Sequence, residues 1–202
     1  VGWRALLAGR IAEARQLLED AIDDMRRRRF AFLEAIGRGL LGEVTALAGD
    51  SVQARRHADE ALALARALGS VTAQVPCAMQ RAAVAEIGGE AEDARRGRLA
   101  EALALARRHG HWGWGGLNRA TLARLALRAL EWGIEPGFAT ALIQRYALSP
   151  PPGTALGAWP WPLRVRGFGG LQLSLGGEPL AARVPRAEER RVGQERASRW
   201  AP

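Results

Sequence analysis

The chain has 202 residues, with 29 Lys+Arg against 21 Asp+Glu for a formal net charge of +8, and every one of those cations is arginine. At 48% hydrophobic and 25% charged it is globular rather than disordered or fibrous, and long enough for one domain with a real core. Its one cysteine, Cys77, excludes a disulfide framework and a cysteine zinc cluster, and no apolar run reaches membrane-spanning length.

The opening residues Val1-Gly2-Trp3 already read as helix rather than as a signal peptide, and without an initiator Met the expectation is a piece of a longer protein. A Gly-x-x-x-x-Ala-Arg frame then recurs every 40 residues, at Gly9 to Arg15, Gly49 to Arg55 and Gly89 to Arg95. The sequence Glu60-Ala-Leu-Ala-Leu-Ala-Arg66 returns unchanged at 101–107, shifted by 41, so one residue is inserted between Ala94 and Glu101. Such periodicity marks a repeat protein in which each unit buries its apolar face on the next.

In chain order, the expected helices run over 30–48, 51–68, 76–87, 91–108, 118–132 and 136–148. Gly49 stops the first, Asp50 or Ser51 caps the second, and Pro76 opens the third from a first turn, where its missing N–H costs nothing. Ala54, Ala58, Ala61 and Ala65 form a narrow stripe that lets a neighbouring helix come close. Arg107, Arg108 and His109 place cations on a last turn before Gly110. The fold class is therefore mainly α, an α-solenoid of helical hairpins over residues 1–148.

Composition then changes. Residues 149–162, from Ser149-Pro150-Pro151-Pro152 to Trp159-Pro160-Trp161-Pro162, read as a stiff linker. From Leu163 the apolar period switches to two: Leu163 and Val165 alternate with Arg164 and Arg166, and Leu171, Leu173 and Leu175 with Gln172 and Ser174. Gly176-Gly177 is a hairpin-turn pair, so 163–180 is expected to hold two or three short strands. Residues 181–202, with six Arg and three Glu and no clean period, are expected to be poorly ordered.

The Gly…Ala-Arg entries and the Glu-Ala-Leu-Ala-Leu-Ala-Arg bodies resemble the long tetratricopeptide-like repeats of MalT-like, LuxR-type large transcriptional regulators. Trp112-Gly113-Trp114, Leu122-Ala123-Arg124-Leu125, Gly133-Ile134-Glu135 and Leu142-Ile143 look like the last helical pair of that sensor array. In one branch of the family a Trp-Pro-Trp-Pro-type join leads into an OmpR/PhoB-type winged helix, and 159–180 resembles that join and the opening hairpin. The resemblance covers roughly residues 6–180 and implies a cytoplasmic bacterial regulator whose solenoid takes an inducer small molecule or a regulatory protein; self-association is a further partner expectation. Against that family the chain looks like a truncated slice, since nothing resembling a recognition helix is expected after Leu180 and no Gly-x-x-x-x-Gly-Lys phosphate loop can exist in a chain without lysine. DNA contact is therefore expected only through a complete downstream winged helix.

Trp112 and Trp114 are the candidate ligand- or partner-binding residues, and Arg164 and Arg166 the candidate phosphate contacts. The bland account of the tryptophans 112, 114, 132, 159 and 161 is that they cap the solenoid end and anchor the β element. His109-Gly110-His111 lacks further ligands for a metal, His57 reads as solvated, and Cys77 as a buried small hydrophobe. The acids Glu19, Asp20, Asp23 and Asp24 read as a solvated face paired with Arg26 to Arg29 one turn on. The glycines at 167, 169 and 170 read as a turn or bulge rather than a phosphate cradle. No nucleophile, base or metal constellation supports an enzyme, and no cofactor or membrane is expected. The alternative is a stand-alone repeat scaffold that binds proteins and never touches DNA. Half of the net charge lies beyond residue 150, so the basic balance is not a concentrated nucleic-acid footprint.

Overall fold

A left-handed backbone position punctuates the first half of the chain at nearly constant intervals: Gly9 (φ 72°), Arg29 (59°), Gly49 (93°), Gly69 (63°), Gly89 (62°) and Gly110 (57°). Helices close there with reach-back bonds of the Schellman kind, in which Phe30 N–H donates to the Met25 carbonyl (2.9 Å), Asp50 N–H to Thr45 (3.1 Å) and Glu90 N–H to Ala85 (3.1 Å). Glycine adopts this conformation without a Cβ penalty, whereas Arg29 holds it at a cost. The stops fall every 20 residues up to Gly89, half of the 40-residue period in the sequence.

The computed structural model describes residues 2–112, 117–161, 163–167, 172–175 and 178–180. Among them are a short α1 (Gly2–Leu7) and then helices of 17 residues each: α2 (Ile11–Arg27), α3 (Ala31–Leu47), α4 (Ser51–Ala67), α5 (Val71–Ile87) and α6 (Glu92–Arg108). The shorter α7 (Arg119–Glu131) and α8 (Pro136–Arg145) follow. The Asp50 side chain caps α4 by accepting from Gln53 N–H (3.0 Å), and Asn118 caps α7 by accepting from Ala120 N–H (2.8 Å). Contacts join the helices as sequence neighbours, and α3, α5 and α7 also touch as alternates.

This arrangement encloses α5 on several sides, so Val75, Cys77, Met79 and Val84 are buried. One cluster joins Leu6, Leu18, Ile22, Leu40 and Val44, and another joins Ala46, Ala54, Ala58 and Val84. The alanine stripe of α4 is fully buried, and a Cβ on Gly42 of α3 would stand 3.0 Å from the Ala54 carbonyl. Small residues on both helices bring the α3 and α4 backbones together, as the spacing predicts.

Two helix limits differ from expectation. The third expected helix starts at Val71, not at Pro76, which lies inside it and is buried. The Ser70 carbonyl already accepts from Ala73 N–H (3.1 Å) and Gln74 N–H (2.9 Å), so the first turn forms upstream. Proline then costs one hydrogen bond in a helix that tertiary burial stabilises. The final helix ends at Arg145 rather than near 148, because Ala147 turns left-handed (φ 43°) and Leu148 N–H reaches back to Ile143 (2.9 Å).

The chain divides into two compact units, Val1–Trp159 and Pro160–Pro202. The first unit ends with a single 3-10 turn, Leu156–Ala158, and with Trp159, which is buried. The second holds an antiparallel sheet of β1 (Leu163–Arg166), β2 (Gln172–Leu175) and β3 (Glu178–Leu180), in the order β1-β2-β3. Its register sets Leu163 opposite Leu175, Val165 opposite Leu173, and Leu173 opposite Leu180. The expected turns at 169–170 and 176–177 and the 181–202 tail lie outside the described residues.

Candidate functional site

Trp112, a predicted binding residue, stands just beyond α6 with its ring stacked on Phe138 of α8 (centroids 4.4 Å apart, planes at 23°). The Arg145 guanidinium lies 5.3 Å over the same ring, and the Tyr146 hydroxyl donates to the Trp112 carbonyl. Trp112 thus ties α8 to the end of α6. Trp114 lies outside the described residues. Trp132 is engaged separately, with the guanidinium carbons of Arg95, Arg96 and Arg128 at 5.6, 5.8 and 5.8 Å from its ring. Arg164 and Arg166 both belong to β1, and Arg166 is exposed.

The helical unit neutralises most of its arginines with carboxylates. Arg38 bridges Glu34 and Glu60, Arg81 bridges Asp59 and Glu101, and Arg98 bridges Asp59 and Glu90. Glu86 receives both Arg95 and Arg128 at 3.0 Å. The acidic run of α2 pairs with the basic run after it, through Asp23–Arg26 (3.6 Å), Asp24–Arg27 (3.5 Å) and Asp24–Arg28 (2.7 Å), with these arginines exposed. These charges act as connectors between helices, and the exposed pairs each contribute about 0–1 kcal/mol.

His57 departs from expectation. It is half-buried on α4, its Nδ1 is enclosed without a partner, and it lines a cleft of about 320 Å³ with Glu19, Asp23, Arg26 and Arg38. Burial pushes its imidazole below the ordinary value, Glu60 opposes this, and Arg38, Arg56 and Arg15 reinforce it. Its position on α4, where α2 and α3 also bound the cleft, explains the difference. Cys77 is buried as expected, and burial pushes its thiol up to about 12, which leaves essentially no thiolate. Among the described residues no group of His, Cys, Asp and Glu is arranged to hold a metal ion.

The group that sequence reasoning missed is Glu43. It lies on α3 with 0% exposure, and neither carboxylate oxygen makes a well-formed hydrogen bond, although the Thr121 hydroxyl and the Asn118 N–H lie close by. Burial pushes it up to about 7, an effect that the Thr121 hydroxyl, the Asn118 backbone N–H and the Arg124 charge on and beside α7 only partly offset. The signal was present as one acid inside the apolar run Leu40-Leu41-Gly42-Glu43-Val44.

Next to those α7 residues is a cleft of about 530 Å³, walled by Leu47 of α3, by Asn118, Arg119, Ala120, Thr121, Ala123 and Arg124 at the start of α7, and by Ser149 to Pro152. Trp112 lines neither this cleft nor the one at His57. No helix among the described residues is long and apolar enough to cross a membrane. No protein family, curated protein or solved structure matches the chain.

Proposed function

We propose that the chain is part of a bacterial transcriptional regulator resembling the MalT-like, LuxR-type group: a tetratricopeptide-like sensor region followed by the start of a winged helix. The observation that carries this reading is an ordered succession. Five helices of 17 residues each, stopped at 20-residue intervals up to Gly89, lead into two shorter helices, and a three-stranded antiparallel meander follows Trp159-Pro160-Trp161-Pro162. In this reading the helical unit receives an inducer or a regulatory protein in the cytoplasm, and DNA is bound through a complete winged helix downstream. The reading assigns no catalytic role to any residue.

The stand-alone scaffold accounts for the helices and leaves the Trp-Pro join and the meander without a purpose. The two readings part at the gene. A phosphate-loop domain encoded upstream of Val1, with a recognition helix encoded after Leu180, is the expected result. A self-contained reading frame with its own Met just before Val1 and no helix downstream would overturn the regulator reading.

A further inference from the structure

Arg119 and Arg124, both on α7, belong to the minority of arginines in the helical unit that make no ion pair among the described residues. Neither has a carboxylate within salt-bridge distance, whereas Arg81, Arg98 and Arg128 each hold two. Arg119 spends one Nη2 on the Tyr146 and Ala147 carbonyls (2.6 and 2.8 Å). Arg124 reaches only the Thr121 hydroxyl, at 3.5 Å, and its Nε is buried without a partner. Both arginines line the 530 Å³ cleft, and no Asp or Glu lines it with them.

The rest of the lining is of opposite character. Leu47, Ala120, Ala123 and the prolines at 150–152 offer an apolar wall, with Asn118 and Thr121 beside the arginines. A cleft of this volume that is mostly apolar with a few convergent polar groups has the makeup of a small-molecule site. The first turn of α7, capped by Asn118, also lies at the cleft, and the partial positive charge of a helix N-terminus has the same sign as the guanidiniums.

We propose that this cleft binds a small organic acid, with an apolar body against Leu47, Ala120, Ala123 and Pro150–Pro152 and a carboxylate received by Arg124 and Arg119. A planar guanidinium presents a fork of donors that matches a carboxylate. An ammonium ligand would meet two like charges, and a neutral alcohol would leave both uncompensated. An inorganic anion would fill a small part of the volume and leave the apolar wall bare. Glu43, whose carboxyl feels the Arg124 charge, does not itself line the cleft, so no acid competes there for the two arginines. The proposal rests on the cleft alone, and its failure would leave the regulator reading to its own genetic test.

The test uses the 202-residue chain. Hexanoate and phenylacetate are titrated by calorimetry and by amide chemical-shift mapping, with hexanol, hexylamine and inorganic phosphate as comparators. The expected result is saturable binding of the two acids, with shifts centred on Leu47 and on Ala120 to Arg124. Hexanol, hexylamine and phosphate should each bind at least about tenfold more weakly. Arg124→Gln should weaken hexanoate about tenfold or more, and Arg10→Gln, on a solvated pair with Glu13, should leave it unchanged. The wild-type shift map and ligand ranking decide the matter independently of how either variant folds. Equal binding of hexanol and hexanoate, equal binding of phosphate, or shifts centred elsewhere would each overturn the proposal.

Discussion

Replacing Glu43 by glutamine isolates one buried charge. The carboxyl is fully buried and pushed up from 4.5 to about 7, so the native state holds a proton that the unfolded chain releases between those values. At pH 4 both states are protonated and burial of the charge costs nothing. As pH rises through this window the unfolded state binds fewer protons, so stability falls, and the full penalty is present above the folded value. A shift of this size corresponds to about 3 kcal/mol. Glu43→Gln keeps the shape of the protonated acid and removes the titration. The variant should lie within about 0.5 kcal/mol of the wild type at pH 4.5 and exceed it by about 3 kcal/mol at pH 8.5, a gain of about 1 M or more in urea midpoint. The assay is urea unfolding followed by far-ultraviolet circular dichroism at both pH values. An equal difference at the two pH values, or a less stable variant at pH 8.5, would refute the reasoning.

Other consequences follow from the backbone and the core. Arg29→Gly relieves a left-handed arginine that makes no ion pair and should raise stability by about 1 kcal/mol, read as a higher urea midpoint. Gly42→Val drives a side chain toward the Ala54 carbonyl, where a Cβ already stands at 3.0 Å, and should cost about 1–3 kcal/mol in the same measurement. Cys77, buried with its thiol pushed up to about 12, should resist a thiol-specific chromogenic reagent in the native protein and react fully in urea. Fast labelling of the native chain would contradict that burial.

The helices were legible because repetition multiplies weak signals. The Gly9, Gly49 and Gly89 frames fixed three stops, and the structure supplies intervening ones at Arg29 and Gly69. Arg29 was invisible as a stop because an arginine carries no local preference for that conformation, and only its position in the period points to it. Pro76 misled for the opposite reason. Its local preference for a first turn is real, yet burial of α5 overrides it. The strands were readable from alternation, and their register follows from keeping Leu163, Val165, Leu173 and Leu175 on one face. The site was less legible. Tryptophans attract attention, but Trp112 is used in packing on Phe138, while the clefts form from residues far apart in the chain. Leu47 and Arg124 share a cleft only because α3 and α7 converge, which no local pattern encodes. The burial of Glu43 depends on the same convergence.

The proposed part of the helical unit in sensing a signal for transcription is open to a direct test, transcript profiling after in-frame removal of residues 31–108 from the native gene. A defined set of transcripts should change and be restored by the intact gene. An unchanged transcript profile, with the gene expressed in the parent strain, would contradict it.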